Sequence, residues 1–223
     1  MFVRPSWRPG SRQDVYDIIR ENPWGQLISN GKNGPDVTNL PFVLSLASND
    51  SGAGSGNCLE EDRLILTSHI ARANEHSAAI QAVTEPVLAV FEGPSSYVTA
   101  SWYPGRDMPP TIYYSAVHCY GHLVFQEKPE LLKSVEDLTE RNERHIPGGW
   151  KTSEIPREAV TRRLNSILGF ELHVDRLEAK FKLGQDEPKR DAMAVGERLL
   201  ASIDPRDRAL GAMVVRYNEN RTS

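Results

Sequence analysis

Between Thr111 and His122 the chain carries Tyr113, Tyr114, His118, Cys119, Tyr120 and His122, its densest run of side chains able to move protons or bind a metal. Period-two alternation sorts this run into two faces. Val117, Cys119, Leu123 and Phe125 share one face, and Tyr114, Ala116, His118, Tyr120 and His122 share the other. The apolar side reads as core, which makes Cys119 a small buried hydrophobe in preference to a thiolate ligand. The imidazoles and phenols opposite read either as a solvated exterior or as an acid–base surface.

A second cluster, His69-Ile-Ala-Arg72-Ala-Asn74-Glu-His76, stands where a strand pattern runs into a helix pattern. Backbone N–H groups at a helix start and an Arg fork both favour oxyanions, so the segment suits an anionic cofactor. A cap with a surface ion pair is the plainer alternative. No Cys-x-x-Cys or Gly-x-Ser-x-Gly occurs, so neither a structural zinc site nor a serine-hydrolase elbow is signalled. Two weaker pieces complete the set. Ser95 to Tyr103 ends in Trp102 and Tyr103 beside a Pro/Gly-rich loop, 104–111, that holds Arg106. Lys180 and Lys182 follow the last strand pattern, either as a solvated pair or as cations facing an anion.

The elements that must position these groups follow from periodicity and punctuation. Helices fit 12–22 (capped by Asp14, stopped by Pro23), 74–82, 129–143, 156–168, 188–201 and 205–217. Strands fit 26–30, 36–46, 63–70, 86–92, 97–102, 113–126 and 169–178, with a hairpin turn at Asn30-Gly-Lys-Asn-Gly-Pro35. Residues 47–62 read as a flexible insertion loop. Six or seven strands with helices between or after them predict a small α+β barrel, a single domain over 1–223 with a C-terminal helical segment at 187–223. The βαβ rhythm and glycine fingerprint of a doubly wound sheet are missing.

The 223 residues carry 26 Lys+Arg against 30 Asp+Glu, a net charge of −4. That balance offers no basic excess for nucleic acid. Two cysteines do not make a disulfide framework. No apolar run approaches the roughly 18 residues a membrane span needs. The composition therefore predicts a soluble, cytoplasmic protein with no membrane or nucleic-acid partner.

The order of Glu21-Asn-Pro-Trp-Gly-Gln-Leu, Asn39-Leu-Pro, His69-Ile-Ala-Arg-Ala-Asn, Gly93-Pro-Ser-Ser-Tyr-Val-Thr-Ala-Ser-Trp-Tyr-Pro, Val117-His118-x-x-Gly121, Gly169-Phe-Glu-Leu and Lys182-Leu-Gly-Gln resembles the PaiB-like split-barrel proteins. The resemblance covers about residues 1–195. It implies a split β-barrel of the FMN-binding type, with peripheral and C-terminal helices, that forms a homodimer with the cofactor at the subunit interface. Three segments depart from the FMN-type pattern. Asn39-Leu-Pro stands for His-Leu-Pro, Pro110-Thr-Ile-Tyr-Tyr114 for Pro-Thr-Trp-Asn-Tyr, and Lys182-Leu-Gly-Gln-Asp186 for Lys-Leu-Ser-Gln-Asn. With these departures the chain looks like the piperazate synthases, haem-dependent relatives that convert N5-hydroxy-L-ornithine to L-piperazic acid.

The resemblance implies haem b as cofactor and a small-molecule substrate, with an FMN-binding negative transcriptional regulator or a flavin-dependent oxidoreductase of the same fold as the alternative. Under it His69 is the first axial ligand, ahead of His118. Arg72, Asn74, Trp102, Tyr103, Lys180 and Lys182 line the cofactor. His118 and Tyr113 or Tyr114 are the acid–base groups, and Arg106 or Arg72 meets a carboxylate.

Overall fold

The computed structural model describes residues 1–47 and 63–221, so the expected insertion at 47–62, with Cys58, lies almost wholly outside the described residues. Seven antiparallel strands form one sheet in the order β2-β1-β5-β6-β7-β4-β3. They are β1 (Trp24–Gly31), β2 (Gly34–Pro41), β3 (Val43–Ala47), β4 (Arg63–Ala71), β5 (Val87–Val98), β6 (Thr111–Phe125) and β7 (Ile167–Lys182). The helices are α1 (Arg12–Glu21), α2 (Glu75–Ala82), α3 (Lys128–Glu143), α4 (Arg157–Leu164), α5 (Lys189–Leu200) and α6 (Pro205–Asn218). The chain divides into two compact units: 1–22, 90–118 and 178–223 in the first, 23–89 and 119–177 in the second. Among the described residues no helix is long and apolar enough to cross a membrane.

In the first unit Ser11, not Asp14, is the N-cap of α1. Asp14 sits three residues on and closes a capping box, accepting from the Ser11 backbone while Ser11 Oγ accepts from its N–H. Burial alone would raise the Asp14 pKa. Hydrogen bonds from Tyr217 and Ser11, with Arg216 at 2.7 Å, hold it below the usual carboxylate value instead. The contact ties α1 to α6. Helices α5 and α6 pack closely because Gly211 carries no Cβ: one would lie 3.0 Å from the Gly196 carbonyl oxygen.

The expected strands 86–92 and 97–102 are one strand, β5, followed by a single 3-10 turn at Ala100–Trp102. Gly93-Pro94 reads as a breaker, but its glycine serves a close approach. A Cβ at Gly93 would lie 2.9 Å from Ile18 Cδ1 and 3.4 Å from Ser115 Cβ. Strand β7 runs on to Lys182, past the expected end at 178, so Lys180 and Lys182 belong to the strand.

In the second unit β1 and β2 form the predicted hairpin, with Gly31 opposite Gly34. The expected strand 36–46 is broken at Phe42, whose N–H donates to the Pro23 carbonyl at 2.8 Å. The residues before the break pair with β1, and those after it pair with β4. Helix α2 is capped by Asn74, whose side chain accepts the His76 N–H. His76 is 4% exposed and is gripped at both ring nitrogens, Nε2 by Ser29 Oγ at 2.9 Å and Nδ1 by Thr38 Oγ1 at 2.8 Å. It pins α2 to the hairpin. Burial lowers its pKa below the ordinary histidine value, partly opposed by Asp36.

An unfolded chain therefore protonates His76 before the folded one does, and stability falls as pH drops from about 7 through the lower folded pKa. Denaturant unfolding across this range is expected to show that loss, and a shallower one in His76→Gln. His76→Ala, which leaves Ser29 without this partner and Thr38 with only the Asn74 amide, is expected to destabilise by about 1–3 kcal/mol at neutral pH.

Candidate active site

Strand β6 alternates as predicted over Tyr113 to Gly121, odd positions inward, except that Ala116 on the outward row is buried as well. Cys119 is fully buried and its thiol is pushed up to about 12 by burial, as expected of a packed hydrophobe. Phe125 departs from the expected apolar face: it lies near the end of the strand, 38% exposed. Tyr113 shares the inward face, and it too is fully buried. Its hydroxyl donates to the Glu187 carboxylate, from a residue 74 positions away. Burial, then the bond to Glu187, raises the phenol far above its ordinary value, so Tyr113 stays neutral. Burial likewise raises Glu187, against the hydrogen bond from Tyr113. Tyr103, 1% exposed, lies beside the same carboxylate and is also raised, first by burial and then by the charge of Glu187.

The space around this pair depends on Gly184. Its φ of +83° is left-handed, and a Cβ there would lie 2.9 Å from Tyr113 Cζ and 3.0 Å from Ala192 Cβ. Tyr113 and Gly184 belong to two of the three segments that depart from the FMN-type pattern. They meet in one contact.

The next residue, Tyr114, turns to the other side of the strand and is half-buried. Lys180 Nζ lies 5.2 Å from its ring and 4.6 Å from the ring of Trp7. Arg4 stacks over Trp7 at 4.8 Å, and Trp7 Nε1 donates to Asp186 at 3.0 Å. Lys182 Nζ donates to Thr111 Oγ1. His118 is half-buried on the Tyr114 side, its Nδ1 sealed from solvent. Trp102 is half-buried and Arg106 is exposed in a left-handed turn, φ 52°, with Nη2 3.3 Å from Ser101 Oγ. The first unit thus gathers Tyr103 with Tyr113, and Tyr114 with Lys180. Sequence reasoning missed Trp7 and Glu187 as site residues, since neither carries a motif of its own, and it read Asp186 only as part of the segment after Lys182.

The second unit holds His69, Arg72 and Asn74. His69 lies on β4 opposite Gly169 of β7, and burial lowers its pKa. At neutral pH it is an uncharged imidazole with a lone pair to offer, the form a metal takes. Arg72 is exposed, its N–H bonded to the Ser166 carbonyl. It lines a cavity of about 460 Å³ with Lys128, Gln126, Asn165, Leu131 and Leu168. The Asn74 side chain is engaged as a helix cap. Among the described residues no three His, Cys, Asp or Glu side chains cluster as a metal cage.

Gly184→Ser is expected to destabilise by about 1–3 kcal/mol, through left-handed strain and collision with the phenol. Tyr113→Asn in the same chain is expected to recover part of this loss. A double-mutant cycle by chemical denaturation would then show a coupling of about 1 kcal/mol, and strict additivity would refute the contact.

Comparison with known proteins follows this geometry. The chain is 26% identical over 214 residues to "Protease synthase and sporulation protein PAI 2" of Bacillus subtilis (strain 168), covering 96% of each. Its fold is similar to a conserved hypothetical protein of Mycobacterium tuberculosis, at TM-score 0.56 and 13% identity over 84% of this chain and 94% of that one. It is also similar to the FAD and heme binding protein of Mycobacterium smegmatis, at TM-score 0.54 and 15% identity, covering 83% and 78%. These likenesses show an α+β fold of the split-barrel kind. The family described as "Putative FMN-binding domain" matches residues 1–176, and the chain belongs to that family.

Proposed function

We propose that this chain is a haem-dependent piperazate synthase that closes N5-hydroxy-L-ornithine into L-piperazic acid. The observation that carries the reading is the Tyr113–Gly184 contact. It joins two departures from the FMN-type pattern into one packing unit, because a side chain at 184 and a phenol at 113 compete for the same space. The motifs that remain, Asn39-Leu-Pro and Tyr113-Tyr-Ser-Ala-Val-His-Cys119, are those that resemble the piperazate synthases.

The donor chemistry fits haem. His69 is held neutral by its surroundings, which suits it to ligate iron, and Arg72 is an exposed cation suited to a propionate. Iron of this kind would supply Lewis-acid activation of an N–O bond. The residues of the chain supply the rest. His118 takes a proton from the substrate α-ammonium, freeing the lone pair that attacks N5. The N–N bond forms as the N–O bond breaks, Tyr114 donates the proton with which the hydroxide leaves as water, and solvent exchange returns the proton held by His118 to the Tyr114 phenolate. Arg106 receives the carboxylate. Atoms and electrons balance with no external reductant. Folding the flexible substrate so that its nitrogens meet is an orientation effect worth several kcal/mol. Tyr113, buried against Glu187, keeps its proton and takes no part in this transfer.

A homodimer belongs to this reading, since an exposed apolar sheet surface favours pairing. Tyr97 and Ile112 are 61% and 54% exposed.

The purified protein is expected to show a Soret band, to be lost or shifted in His69→Ala and retained in Cys119→Ser. The haem-loaded protein is expected to convert N5-hydroxy-L-ornithine, but not ornithine, to a cyclic hydrazine by mass spectrometry, without consuming NAD(P)H. Flavin absorption with no cyclic product in either iron state would instead make this an FMN protein, the reading that the family match favours.

A further inference from the structure

Burying a carboxylate is costly, and an apolar pair of the same size would fill the space without that cost. Glu187 is nonetheless 7% exposed and accepts from a fully buried phenol. The turn that carries it is held rigidly. The Glu187 N–H donates to the Gly184 carbonyl at 3.1 Å, and the Leu183 N–H donates to Gln185 Oε1 at 2.7 Å. From the end of α6, Asn218 Nδ2 donates to the Leu183 carbonyl at 2.9 Å. Arg221 Nη1 reaches the Gly184 carbonyl at 3.1 Å, and its Nη2 reaches the Glu187 carbonyl at 2.9 Å. These bonds hold the backbone from which the carboxylate projects, and the Tyr113 hydroxyl holds the carboxylate itself. Groups that orient others must themselves be held in this way.

What Glu187 orients is the first turn of β6. Tyr113 is anchored to it on the inward side, while Thr111 is anchored to Lys182. Tyr114 follows directly on the second anchor along the chain and lies beside Lys180. Because successive side chains of a strand point in opposite directions, fixing the inward phenol fixes the direction of the outward one.

We propose that Glu187 is a positioning residue for the reaction, acting through the Tyr113 hydroxyl to set the orientation of Tyr114, with Gly184 as the glycine its geometry requires. This inference rests on the proposed function for its activity readout. It also carries a readout that does not depend on turnover.

The test compares the haem-loaded full chain with Tyr113→Phe, Glu187→Ala and Glu187→Gln. Glutamine can still accept the phenol hydroxyl; alanine cannot. Tyr113→Phe and Glu187→Ala are expected to lower kcat for ring closure about tenfold to a hundredfold, the scale of a misoriented reacting group. KM is expected to stay nearly constant, and Glu187→Gln to restore most of kcat. Glu187→Gln as damaged as Glu187→Ala, or Tyr113→Phe at wild-type kcat, would overturn the proposal.

In parallel, each protein is labelled with 3-fluorotyrosine and the Tyr114 fluorine resonance is identified by its loss in Tyr114→Phe. The resonance is expected to shift or broaden in Tyr113→Phe and Glu187→Ala and to stay in place in Glu187→Gln. An unmoved resonance in all three overturns the positioning role. A wild type that makes no cyclic hydrazine, with the fluorine pattern as expected, would reject the proposed reaction and leave the positioning role standing.

Discussion

A β-strand has two sides, and a fifteen-residue strand such as β6 cannot turn one side chain without turning its neighbours the other way. This constraint separates Tyr113 from Tyr114 and Val117 from His118. It explains how one short segment supplies both core and chemistry. The inward row (Tyr113, Ser115, Val117, Cys119, Gly121) is buried throughout. The outward row carries the phenols and imidazoles that solvent or a ligand can reach. A slip of one residue in register would bury His118 and expose Cys119, so the packing of the inward row protects the chemistry of the outward one.

The same reasoning separates two histidines that look alike in the sequence. Burial makes both His69 and His76 weaker bases. His76 has both ring nitrogens engaged by hydroxyls, which is what a satisfied structural imidazole requires. It holds a helix to a hairpin and has no nitrogen left to offer. His69 sits on a strand opposite a glycine, a partner that brings no side chain of its own. Within the motif His69-Ile-Ala-Arg-Ala-Asn-Glu-His76, the last histidine holds the fold and the first lies on the strand without that pair of hydroxyl partners.

Much of this architecture was legible because it is local. Alternation on β6, the hairpin at residues 31–34, the buried Cys119 and the positions of the helices follow from neighbours in the chain, except that α4 stops at Leu164 and β7 begins at Ile167, inside the helix expected over 156–168. What was not legible depends on distance. Gly93-Pro94 looks like a strand end until Ile18 and Ser115 are seen to occupy the space a Cβ would take. The break at Phe42 arises because the chain changes pairing partners there, which periodicity does not register. Asp14 has the composition of a cap, but Ser11 holds that position and Asp14 answers to Tyr217 and Arg216 on α6. Tyr113 reads as an acid–base candidate by residue type. Only the distant Glu187 shows that its hydroxyl is committed to a buried carboxylate.

The distances also bear on what family membership can and cannot carry. The family match ends at residue 176, and Lys180, Lys182, Gly184, Asp186 and Glu187 lie beyond it. Each of them nevertheless touches a residue inside it: Tyr114, Thr111, Tyr113 and Trp7 are their partners. In this chain the segment after residue 176 therefore decides what presses on the start of β6. A serine at 184 would press on the phenol, and an asparagine at 113 would leave the Glu187 carboxylate without its donor. The two positions have to suit each other before either can suit a ligand. For that reason the chemistry of this chain is to be sought in the pairing of β6 with the segment after residue 176, and the family match, which stops short of that segment, shows the scaffold alone.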